Sequence, residues 1–393
     1  MEWRKYTVQT KFSFLIPSFA ILIIFFSFYS DRSVLFFIGI LLGIYSFFSY
    51  QYERVIGNRL QLKNSKNQKY IFCQQQTDWE LTFLNKGLPI IGGNITIIYD
   101  KNVQPLQLVN LESLNSYHMK IPFSIGTNQE LVLKIPVVAS FRGVAKIRSI
   151  EIVVPHLVGF GQTILEYHAP FLTELIVYPK SKEVENISYL QSIKMGEVPV
   201  RQSLFFDSLV TIGSRDYVSS DSFKQINWKA TAKMQKLQTK IFEPIADSGI
   251  HFSLNSMENN YLCSNFEEKI EYLTYLIYFL HKKNIPYSIS INFKSKGSLP
   301  FYYLSKGSGK SQLQLALRLL ATVDQLFLPM PFNQKMNYYY KHLNDQPYIF
   351  HIGQIDEPTK KIYQQLKQSG ITLFYLDEIN RAIHPMKIGG EKG

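Results

Sequence analysis

Cysteine is scarce in this chain, with two among 393 residues. Cys73 and Cys263 lie far apart, in different predicted domains. This spacing excludes a disulfide framework and the paired cysteines of a structural zinc site, and it is typical of a reducing compartment. We therefore expect two ordinary thiols that are buried or half-buried.

Other signals of common chemistry are missing too. The eight histidines are scattered, without an H-E-x-x-H motif or any other paired ligand spacing. Aromatic residues are abundant, but they alternate with apolar neighbours rather than with Lys or Arg, so nucleic-acid binding has no support. Neither an internal repeat nor a long low-complexity segment occurs. We expect no cofactor and no nucleic-acid partner.

Two long apolar runs without charge lie near the N-terminus, at residues 12–29 and 33–50. Each would cover roughly 27 Å as a helix, close to the ~30 Å hydrocarbon core of a bilayer. A cleavable signal peptide is one alternative, but no small-residue cleavage site ends the apolar region. A buried hairpin of a soluble protein is another, but here aromatic residues face every direction. The pattern predicts a transmembrane helical hairpin within an anchor of residues 1–54.

Charges around the hairpin predict its orientation. Arg32 is the only cation in the turn, whereas eight flank the two runs: Arg4, Lys5, Lys11, Arg54, Arg59, Lys63, Lys66 and Lys69. By the positive-inside rule both flanks lie in the cytoplasm. We therefore expect a two-pass protein of the cell membrane, with both termini and the soluble domains cytoplasmic. A basic segment beside an apolar one also predicts membrane lipid as a partner.

In residues 55–180 the sequence pattern changes to short runs rich in Ile, Val, Thr, Phe and Tyr, separated by Gly, Pro and Asn. Runs of this length and spacing are typical of a β-sandwich. The clearest candidate strands are Trp79–Leu84, Asn94–Tyr99, Leu131–Val138, Ala145–Val154 and Leu175–Tyr178. Residues 181–249 then hold a polar connector, 181–200, and a stretch dense in charged and aromatic residues.

From residue 250 to 385 candidate strands alternate with candidate helices, which is typical of a mostly parallel α/β sheet. Asn265 followed by Glu268 predicts a capping box at the start of a helix that runs to Lys283. The other predicted elements are strands Ile250–Leu254, Tyr287–Phe293, Tyr348–Ile352 and Ile371–Leu376 and helices Gln312–Leu320 and Pro358–Ser369. Residues 386–393 are expected to form a disordered tail.

The stretch from Ile212 to Pro244 gathers residues of the kinds used at functional sites: Arg215, Asp216, Tyr217, Asp221, Asn227, Trp228, Lys229 and Lys233. One interpretation is a buried polar network that locks a joint between two domains, with Trp228 as its apolar plug. Asp221 or Ser222 would cap a short helix through Met234. The other interpretation is a partner-docking surface, because Arg, Tyr and Trp are enriched in binding hot spots. Catalysis has less support, because no pair of His and Cys lies nearby.

Three motifs in this stretch carry a family resemblance. G-S-R-D-Y at 213–217, D-S-x-x-x-I-N-W-K-A at 221–230 and K-L-Q-x-K-x-F-E-P at 236–244 resemble the signature of the domain of unknown function 58 family. The resemblance implies a membrane-anchored bacterial protein with a von Willebrand factor A-like α/β domain at its C-terminal end. It also implies a partnership with a MoxR-type AAA+ ATPase.

The resemblance extends over nearly the whole chain. F-R-G at Phe141–Gly143 and the segment Leu175–Pro179 are similar to motifs of that family, and Pro155 with Gly159–Phe160 looks like an eroded D-P-x-G-L segment. The signature departs from the family where Ser220 precedes Asp221 in place of Gly, and where Lys224 and Gln225 stand at positions often held by Arg. These changes weaken any claim that an arginine is required there.

A von Willebrand factor A-like domain would carry D-x-S-x-S after its first strand and hold Mg²⁺ with it. The equivalent residues here are 254–259, and in either frame Leu254 or Met257 falls on a ligand position. A hard cation prefers oxygen ligands. Neither frame therefore supplies the full ligand set. The plausible ligands that remain are Ser256, Glu258 and Asn259, and metal binding is not expected.

Residues 307–311, G-S-G-K-S, resemble the end of a phosphate loop, with Lys310 and Ser311 as its functional residues. The full motif needs Gly at position 304, where this chain has Leu304. A flexible basic turn explains the stretch better.

Taken together, these features favour a non-enzymatic, membrane-anchored, cytoplasm-facing interaction or scaffold protein, which by resemblance works with a MoxR-type AAA+ ATPase in assembling a partner. One alternative is a nucleotide-binding or hydrolytic enzyme that uses the 307–311 loop. A second is a metal-dependent adhesion module.

Overall fold

The structure is a computed structural model, and it divides the chain into two compact units, residues 1–179 and 180–393. It describes residues 2–9, 14–30, 32–63, 68–106, 111–113, 116–156, 161–187, 190, 206–218, 221–244, 249–259, 261–324, 326–343 and 346–387.

Strand β1 (Trp3–Gln9) opens the first unit and is followed by helices α1 (Leu15–Ser30) and α2 (Ser33–Val55). Within the described residues, α2 is the one helix long and apolar enough to cross a membrane, and α1 is apolar but shorter. An apolar helix near the N-terminus, as predicted, is therefore confirmed. Residues 12–13 of the first predicted run lie outside the described part of the chain.

The two helices pack closely around a glycine. A Cβ added at Gly39 would lie 2.5 Å from Ile24 Cγ1 and 3.2 Å from the carbonyl oxygen of Ala20. Small residues let membrane helices approach each other in this way. Away from this contact the aromatic side chains are exposed; Phe25 and Phe28 are each 71% accessible. Such surfaces would be unfavourable in water and suit a lipid environment.

Strand β1 is the main departure from the expected anchor of residues 1–54. The sequence placed Arg4 and Lys5 in a charged flank, but they lie on a strand that pairs antiparallel with Gly161–Tyr167. Trp3 from this strand is buried, with its ring 5.1 Å from that of Tyr167. The segment before the helices is thus part of the same β unit as the segment after them.

The rest of the first unit is β-rich, as predicted. Its strands are β2 (Leu60–Leu62), β3 (Gln68–Phe72), β4 (Gln76–Asn85), β5 (Ile90–Asp100), β6 (Val103–Pro105), β7 (Leu111–Ser113), β8 (Ser116–Ile125), β9 (Gln129–Ala139), β10 (Gly143–Pro155), β11 (Gly161–Tyr167) and β12 (Glu174–Tyr178). Each of the five strands expected from the sequence lies inside one of these. The order β1-β11-β10-β5-β8-β7 forms one sheet, to which β12 and β3 are joined, and β2-β4-β9-β6 forms another.

One apolar core serves both sheets. Trp79 and Phe83 from β4 and Tyr99 from β5 are almost inaccessible, and the rings of Trp79 and Tyr99 lie 6.1 Å apart. Burial alternates along β5 and β10, which is the pattern of strands with one face on a core. Cys73 is half-buried beside this core, as expected.

The second unit begins with a two-stranded ribbon, β13 (Phe206–Asp216) and β14 (Gln238–Pro244), joined by a segment that holds the short helix α3 (Trp228–Met234). Its remaining strands are β15 (Ile250–Leu254), β16 (Met257–Glu258), β17 (Tyr261–Leu262), β18 (Tyr287–Lys294), β19 (Phe301–Gly307), β20 (Tyr348–Ile352), β21 (Thr372–Asp377) and β22 (Ala382–Pro385). Its longer helices are α4 (Phe266–Lys283), α5 (Gly309–Thr322), α6 (Phe332–His342) and α7 (Glu357–Gln368).

Six of these strands form one sheet in the order β19-β18-β15-β20-β21-β22. The four central strands are parallel and the two edge strands are antiparallel to their neighbours. Helices α4 and α5 share one apolar cluster with the sheet, and α6 and α7 share another. The alternation of strands and helices thus produces a largely parallel sheet with helices on both faces.

Sequence patterns missed several elements of this unit, among them the two-residue strands β16 and β17. Strand β19, helix α6 and strand β22 were not predicted. Helix α4 was predicted, but its capping box is wrong: Asn265 makes no side-chain capping bond and donates to Glu378 at 2.5 Å instead. Glu268 accepts from Tyr272 at 2.9 Å and pairs with Lys182. Asn265 and Glu268 therefore bind other side chains, including the sequence-distant Glu378 and Lys182, instead of the local backbone.

Where they are described, the connector and the tail make ordered contacts that the sequence did not predict. Val184 is buried against the α/β core, and Glu185 bridges to Ala382. Residues 188–189 and 191–200 of the connector lie outside the described part, as do 388–393 of the tail. Met386 is described, and its amide donates to the carbonyl oxygen of Leu373 at 2.8 Å.

Removing the Trp3 side chain tests whether β1 belongs to the sheet. We expect Trp3→Ala to destabilise β1 by about 3–5 kcal/mol, because it leaves a cavity against Tyr167. Backbone amides of β11 that β1 covers should then exchange with deuterium at least about 100-fold faster. Tyr6→Ala is the matched control on the same strand, because Tyr6 is 45% exposed. Equal exchange in both variants would contradict the pairing.

Candidate functional site

The predicted signature stretch forms the end of the β13–β14 ribbon. Arg215 pairs with Thr239 and Asp216 pairs with Gln238, so the two halves of the motif meet across the strands. The segment between them contains a 3-10 turn at Phe223–Gln225 and then α3. We name residues 215–239 the ribbon tip; residues 219–220 within it lie outside the described part of the chain.

Asp221 is the centre of the polar contacts at the ribbon tip. Its Oδ1 accepts from Arg215 Nη2 at 2.6 Å, and its Oδ2 accepts from Thr239 Oγ1 at 3.0 Å and from the Val218 amide at 3.2 Å. The Arg215 bond is the largest cause that lowers the pKa of Asp221 to about 2. The carboxylate is therefore ionised at neutral pH and fastens the loop to both strands. Neither Asp221 nor Ser222 caps the helix Trp228–Met234, so that prediction was wrong.

Two short polar residues complete the local structure. Asp216 Oδ1 accepts from Gln238 Nε2 at 2.5 Å across the strands. Asn227 is the N-cap of α3; its Oδ1 accepts from the Ala230 amide at 3.2 Å. Its own amide donates to the Gln238 carbonyl oxygen at 2.7 Å, which places the start of the helix against β14. Asn is among the best N-cap residues because its side chain satisfies an otherwise free amide.

The aromatic residues of the tip lie on its surface. Phe223 is 64% exposed and Trp228 is 60% exposed, with ring centroids 6.1 Å apart. Tyr217 lies at the other side of Phe223, with ring centroids 6.5 Å apart. Trp228 as a buried apolar plug was therefore a wrong expectation. Val218, Met234 and Leu237 add further exposed apolar surface to the same tip.

The lysines of the tip are exposed and its carboxylates are already bonded. Lys229 and Lys233 lie one turn apart on α3, both exposed. Asp221 binds within the tip through both carboxylate oxygens, and Asp216 does so through Oδ1. The surface available to a partner is thus aromatic and basic. Residues 206–244 contain no His and no Cys, so the tip offers no nucleophile with an adjacent imidazole base.

The loop 254–259 is braced by side-chain amides. Asn255 Oδ1 accepts from the Met257 amide at 3.0 Å and from Asn292 Nδ2 at 3.1 Å, and Gln354 pairs with Asn259. Ser256 is buried, whereas Glu258 is exposed, so the three weak ligand candidates do not converge as a set. Among the described residues, no group of three or more His, Cys, Asp or Glu side chains could hold a metal ion.

Residues 307–311 lie where strand β19 ends and helix α5 begins. Strand β19 is an edge strand antiparallel to β18, whereas a phosphate loop follows a strand of a parallel βαβ unit. The Gln312 side chain fills the turn, with Nε2 donating to the carbonyl oxygens of Ser305 and Tyr287 at 2.8 and 3.0 Å. Lys310 and Ser311 are exposed at the start of the helix.

Sequence reasoning missed a buried polar layer on one face of the α/β sheet. Its strand residues alternate with the apolar residues of the opposite face: His251, Ser253, Ser288, Ser290 and His351 are all buried. The signal was present in the sequence as I-H-F-S-L, Y-S-I-S-I and Y-I-F-H-I, where polar and apolar residues alternate within strands expected to be buried on both faces.

Lys335 from α6 enters this layer with no exposed surface. Its Nζ donates to Ser253 Oγ at 2.6 Å and to Ser290 Oγ at 3.0 Å. Burial lowers the pKa of Lys335 well below its usual range. Its two donated bonds match the two N–H groups of a neutral amine. A neutral lysine beside a serine can act as a base in acyl transfer, but both side chains are closed off from any substrate.

Two histidines in the layer are neutral for the same reason. Burial lowers the pKa of His351 to about 3 and lowers that of His251 well below its usual range. His251 nitrogens lie 2.7 and 2.8 Å from the hydroxyls of Ser288 and Ser290, and its ring stacks on Tyr339 at 3.9 Å. A satisfied polar layer of this kind specifies one packing arrangement between helices and sheet.

Replacing the buried lysine tests its protonation state. In the unfolded chain a lysine has a pKa of ~10.4, so below that pH the unfolded state binds a proton that the folded state excludes. Wild-type stability therefore rises with pH. We expect Lys335→Met to be the more stable form at pH 6.5, by a margin that narrows by up to about 1.4 kcal/mol per pH unit on raising the pH.

The measurement is denaturant unfolding of the α/β unit in the full-length protein between pH 6.5 and 9. Lys341→Met, an exposed lysine on the same helix, is the control and should show a margin that does not change with pH. A constant margin for Lys335→Met would mean that Lys335 is charged in the folded protein.

Comparisons with known proteins give no family. No protein-family model matches the chain, and no curated protein matches it. A CARDB domain from Pyrococcus furiosus, solved with di-metal ions, is similar over 30% of this chain and 84% of its own, at 11% identity and a TM-score of 0.18. The C-terminal domain of wzt is similar over 32% and 74%, at 13% identity and 0.21. The sporulation control protein Spo0M from Bacillus subtilis is similar over 30% and 48%, at 8% identity and 0.16. TM-scores this low identify neither the fold nor the function of the chain.

Proposed function

We propose that this chain is a membrane-anchored docking protein whose ribbon tip binds a cytoplasmic protein partner. The observation that carries this proposal is the exposed aromatic pair Phe223 and Trp228, on a tip whose loop is held to both strands by Asp221. Exposed aromatic clusters are costly in water and are enriched in binding hot spots.

The anchor in this proposal is a two-pass hairpin of α1 and α2. Strand β1 before the hairpin and strand β2 after it belong to one β unit, so the chain must return to the side from which it left. Helix α2 is long enough to span, and α1 with its 16 residues needs only slight bilayer thinning. The basic flanks then favour the cytoplasm for both soluble units.

The partner is expected to present an acidic rim around an apolar pocket. Lys229 and Lys233 lie beside Trp228 on α3, and opposite charges across an interface speed association and fix its register. The resemblance of the signature to the domain of unknown function 58 family supports a MoxR-type AAA+ ATPase in this role. The same resemblance, with the largely parallel sheet covered by helices on both faces, supports a von Willebrand factor A-like α/β domain.

In this role the protein would hold the ATPase at the membrane while a further protein is assembled. Such a scaffold needs a rigid site rather than a reactive one. The Asp221 contacts join the loop and both strands, so the tip is already organised for binding. Preorganisation lowers the entropy lost on association.

Serine substitutions of the aromatic pair test the docking surface. Because both rings are exposed, we expect Phe223→Ser and Trp228→Ser to change the free energy of unfolding by no more than about 0.5 kcal/mol. Each should weaken binding to a co-expressed MoxR-type AAA+ ATPase at least ~30-fold, the effect of a hot spot of about 2 kcal/mol. Affinity is measured with the full-length protein in detergent micelles.

Tyr261→Ser provides the matched control, because Tyr261 is an exposed aromatic residue of the same unit at 77% accessibility. It should leave binding unchanged. Wild-type affinity in both tip variants, or equal loss in all three, would refute docking through the ribbon tip.

A further inference from the structure

A large cavity opens where β1 meets the segment after α2. Its volume is about 1050 Å³. The walls come from residues 2–5 of β1 and its approach, residues 57–63, Lys86 and Leu165. We name it the basic cavity, because its lining includes five cations, Arg4, Lys5, Arg59, Lys63 and Lys86, and one carboxylate, Glu2.

Three of these cations have no ion-pair partner among the residues that the structure describes. Lys5 Nζ donates to the carbonyl oxygens of Arg54 and Ile56, and Lys63 is paired with Glu130. By contrast, the side chains of Arg4, Arg59 and Lys86 make no hydrogen bond or ion pair with any residue in the described part of the chain; all three are exposed. An anion entering the cavity would find guanidinium and ammonium donors free to bind it.

The cavity lies directly beyond the end of α2. The two Lys5 bonds join β1 to the last turn of that helix and the residue after it. Gly57, the first wall residue after the helix, has a φ of +78° and lies against Leu165, so the chain turns sharply there. If α2 crosses the bilayer, these cations lie at the depth of the lipid headgroups.

An apolar groove lies along α2, and its lining includes Leu88, two residues after Lys86 of the basic cavity. Its volume is about 360 Å³, and it runs along α2 between Tyr45, Phe48, Val55 and Leu88. The turn that carries Leu88 also carries Lys86, which lines the cavity. Tyr52 fixes this turn to α2, because its hydroxyl donates to the carbonyl oxygen of Pro89 at 2.8 Å.

We propose that the cavity and the groove together bind one anionic phospholipid. Arg4, Arg59 and Lys86 bind the headgroup phosphate, and an acyl chain lies in the groove against Phe48 and Leu88. A soluble phosphate compound would explain the cations alone, but it would leave the apolar groove at α2 without an occupant. This proposal rests on the membrane anchoring proposed above.

A bound lipid would link membrane composition to the shape of the soluble part. The cavity wall is formed by β1 and by residues 57–63, which lie on opposite sides of the hairpin in sequence. A phosphate held by Arg4 and Arg59 therefore joins the two chain segments that enter and leave the bilayer. Anionic lipid would hold the β unit against the membrane surface.

Lipid binding to the full-length protein in detergent provides the test. Native mass spectrometry measures binding of phosphatidylglycerol, phosphatidylcholine, inorganic phosphate and glycerol phosphate. We expect phosphatidylglycerol to bind at least tenfold more tightly than the other three. Arg59→Gln/Lys86→Gln should lower that affinity at least tenfold. Lys120→Gln/Lys134→Gln, which removes two exposed cations outside the cavity, should leave it unchanged.

Leu88→Ser separates the two halves of the site. It should weaken phosphatidylglycerol binding while leaving the weak binding of glycerol phosphate as it was. If the double variant does not fold, Arg4→Gln alone should lower phosphatidylglycerol affinity. Equal losses in the cavity and control variants, or glycerol phosphate binding as tightly as phosphatidylglycerol, would overturn the proposal.

Fractionation distinguishes this failure from failure of the proposed function. A protein that stays in the membrane pellet but shows no preference for phosphatidylglycerol would refute the lipid site alone. A protein found in the soluble fraction without detergent would refute the anchoring, and with it both proposals.

Discussion

The antiparallel pairing of β1 with β11 is the constraint on which the arrangement of the chain depends. Seven residues that precede the apolar helices join a sheet whose other strands all follow them. The helical pair is therefore an insertion into a β unit rather than a leader in front of one. Trp3 packs into the core of that unit, and Lys5 donates to the carbonyl groups at the end of α2. These contacts bring the start and the end of the hairpin together and build the basic cavity between them.

Two parts of the second unit, the α/β sheet and the ribbon tip, use polar residues in opposite ways. In the α/β unit, Lys335 and His251 are buried without a carboxylate, and desolvation keeps them neutral. At the ribbon tip, Asp221 is ionised beside Arg215, whose side chain is 47% exposed. The buried layer fixes how helices α6 and α7 meet the sheet. The charged contacts fix a loop and leave its aromatic residues facing outward, which is the arrangement that a docking surface requires.

Strand periodicity was the most reliable sequence signal. Ile250–Leu254 and Tyr348–Ile352 were predicted with the boundaries observed, because short runs rich in β-branched and aromatic residues form buried strands. Strand β1 was missed because Arg4 and Lys5 were interpreted as the charged flank of a membrane helix and not as part of a strand. Helix α6 was missed because N-Q-K-M-N-Y-Y-Y-K-H is mostly polar, and its buried Lys335 contradicts the usual pattern.

The sequence identified the candidate site, but it did not show which of its side chains are exposed. Motif density identified residues 212–244, yet a single sequence cannot distinguish a buried Trp228 from an exposed one. That difference depends on partners such as Thr239 and Gln238, which come from the opposite strand. The basic cavity was beyond sequence reasoning for the same reason, since Arg4, Arg59 and Lys86 converge only once β1 joins the sheet.

Cysteine accessibility in intact cells tests the central claim most directly, that the chain leaves and re-enters the cytoplasm through the α1–α2 hairpin. Single cysteines at Ser30, at the end of α1, and at Lys134, on the β unit, are placed in a Cys73→Ala, Cys263→Ala background. An impermeant maleimide should label Ser30→Cys in intact cells and Lys134→Cys only after permeabilisation. Labelling of Lys134→Cys in intact cells, with Ser30→Cys protected, would contradict the account.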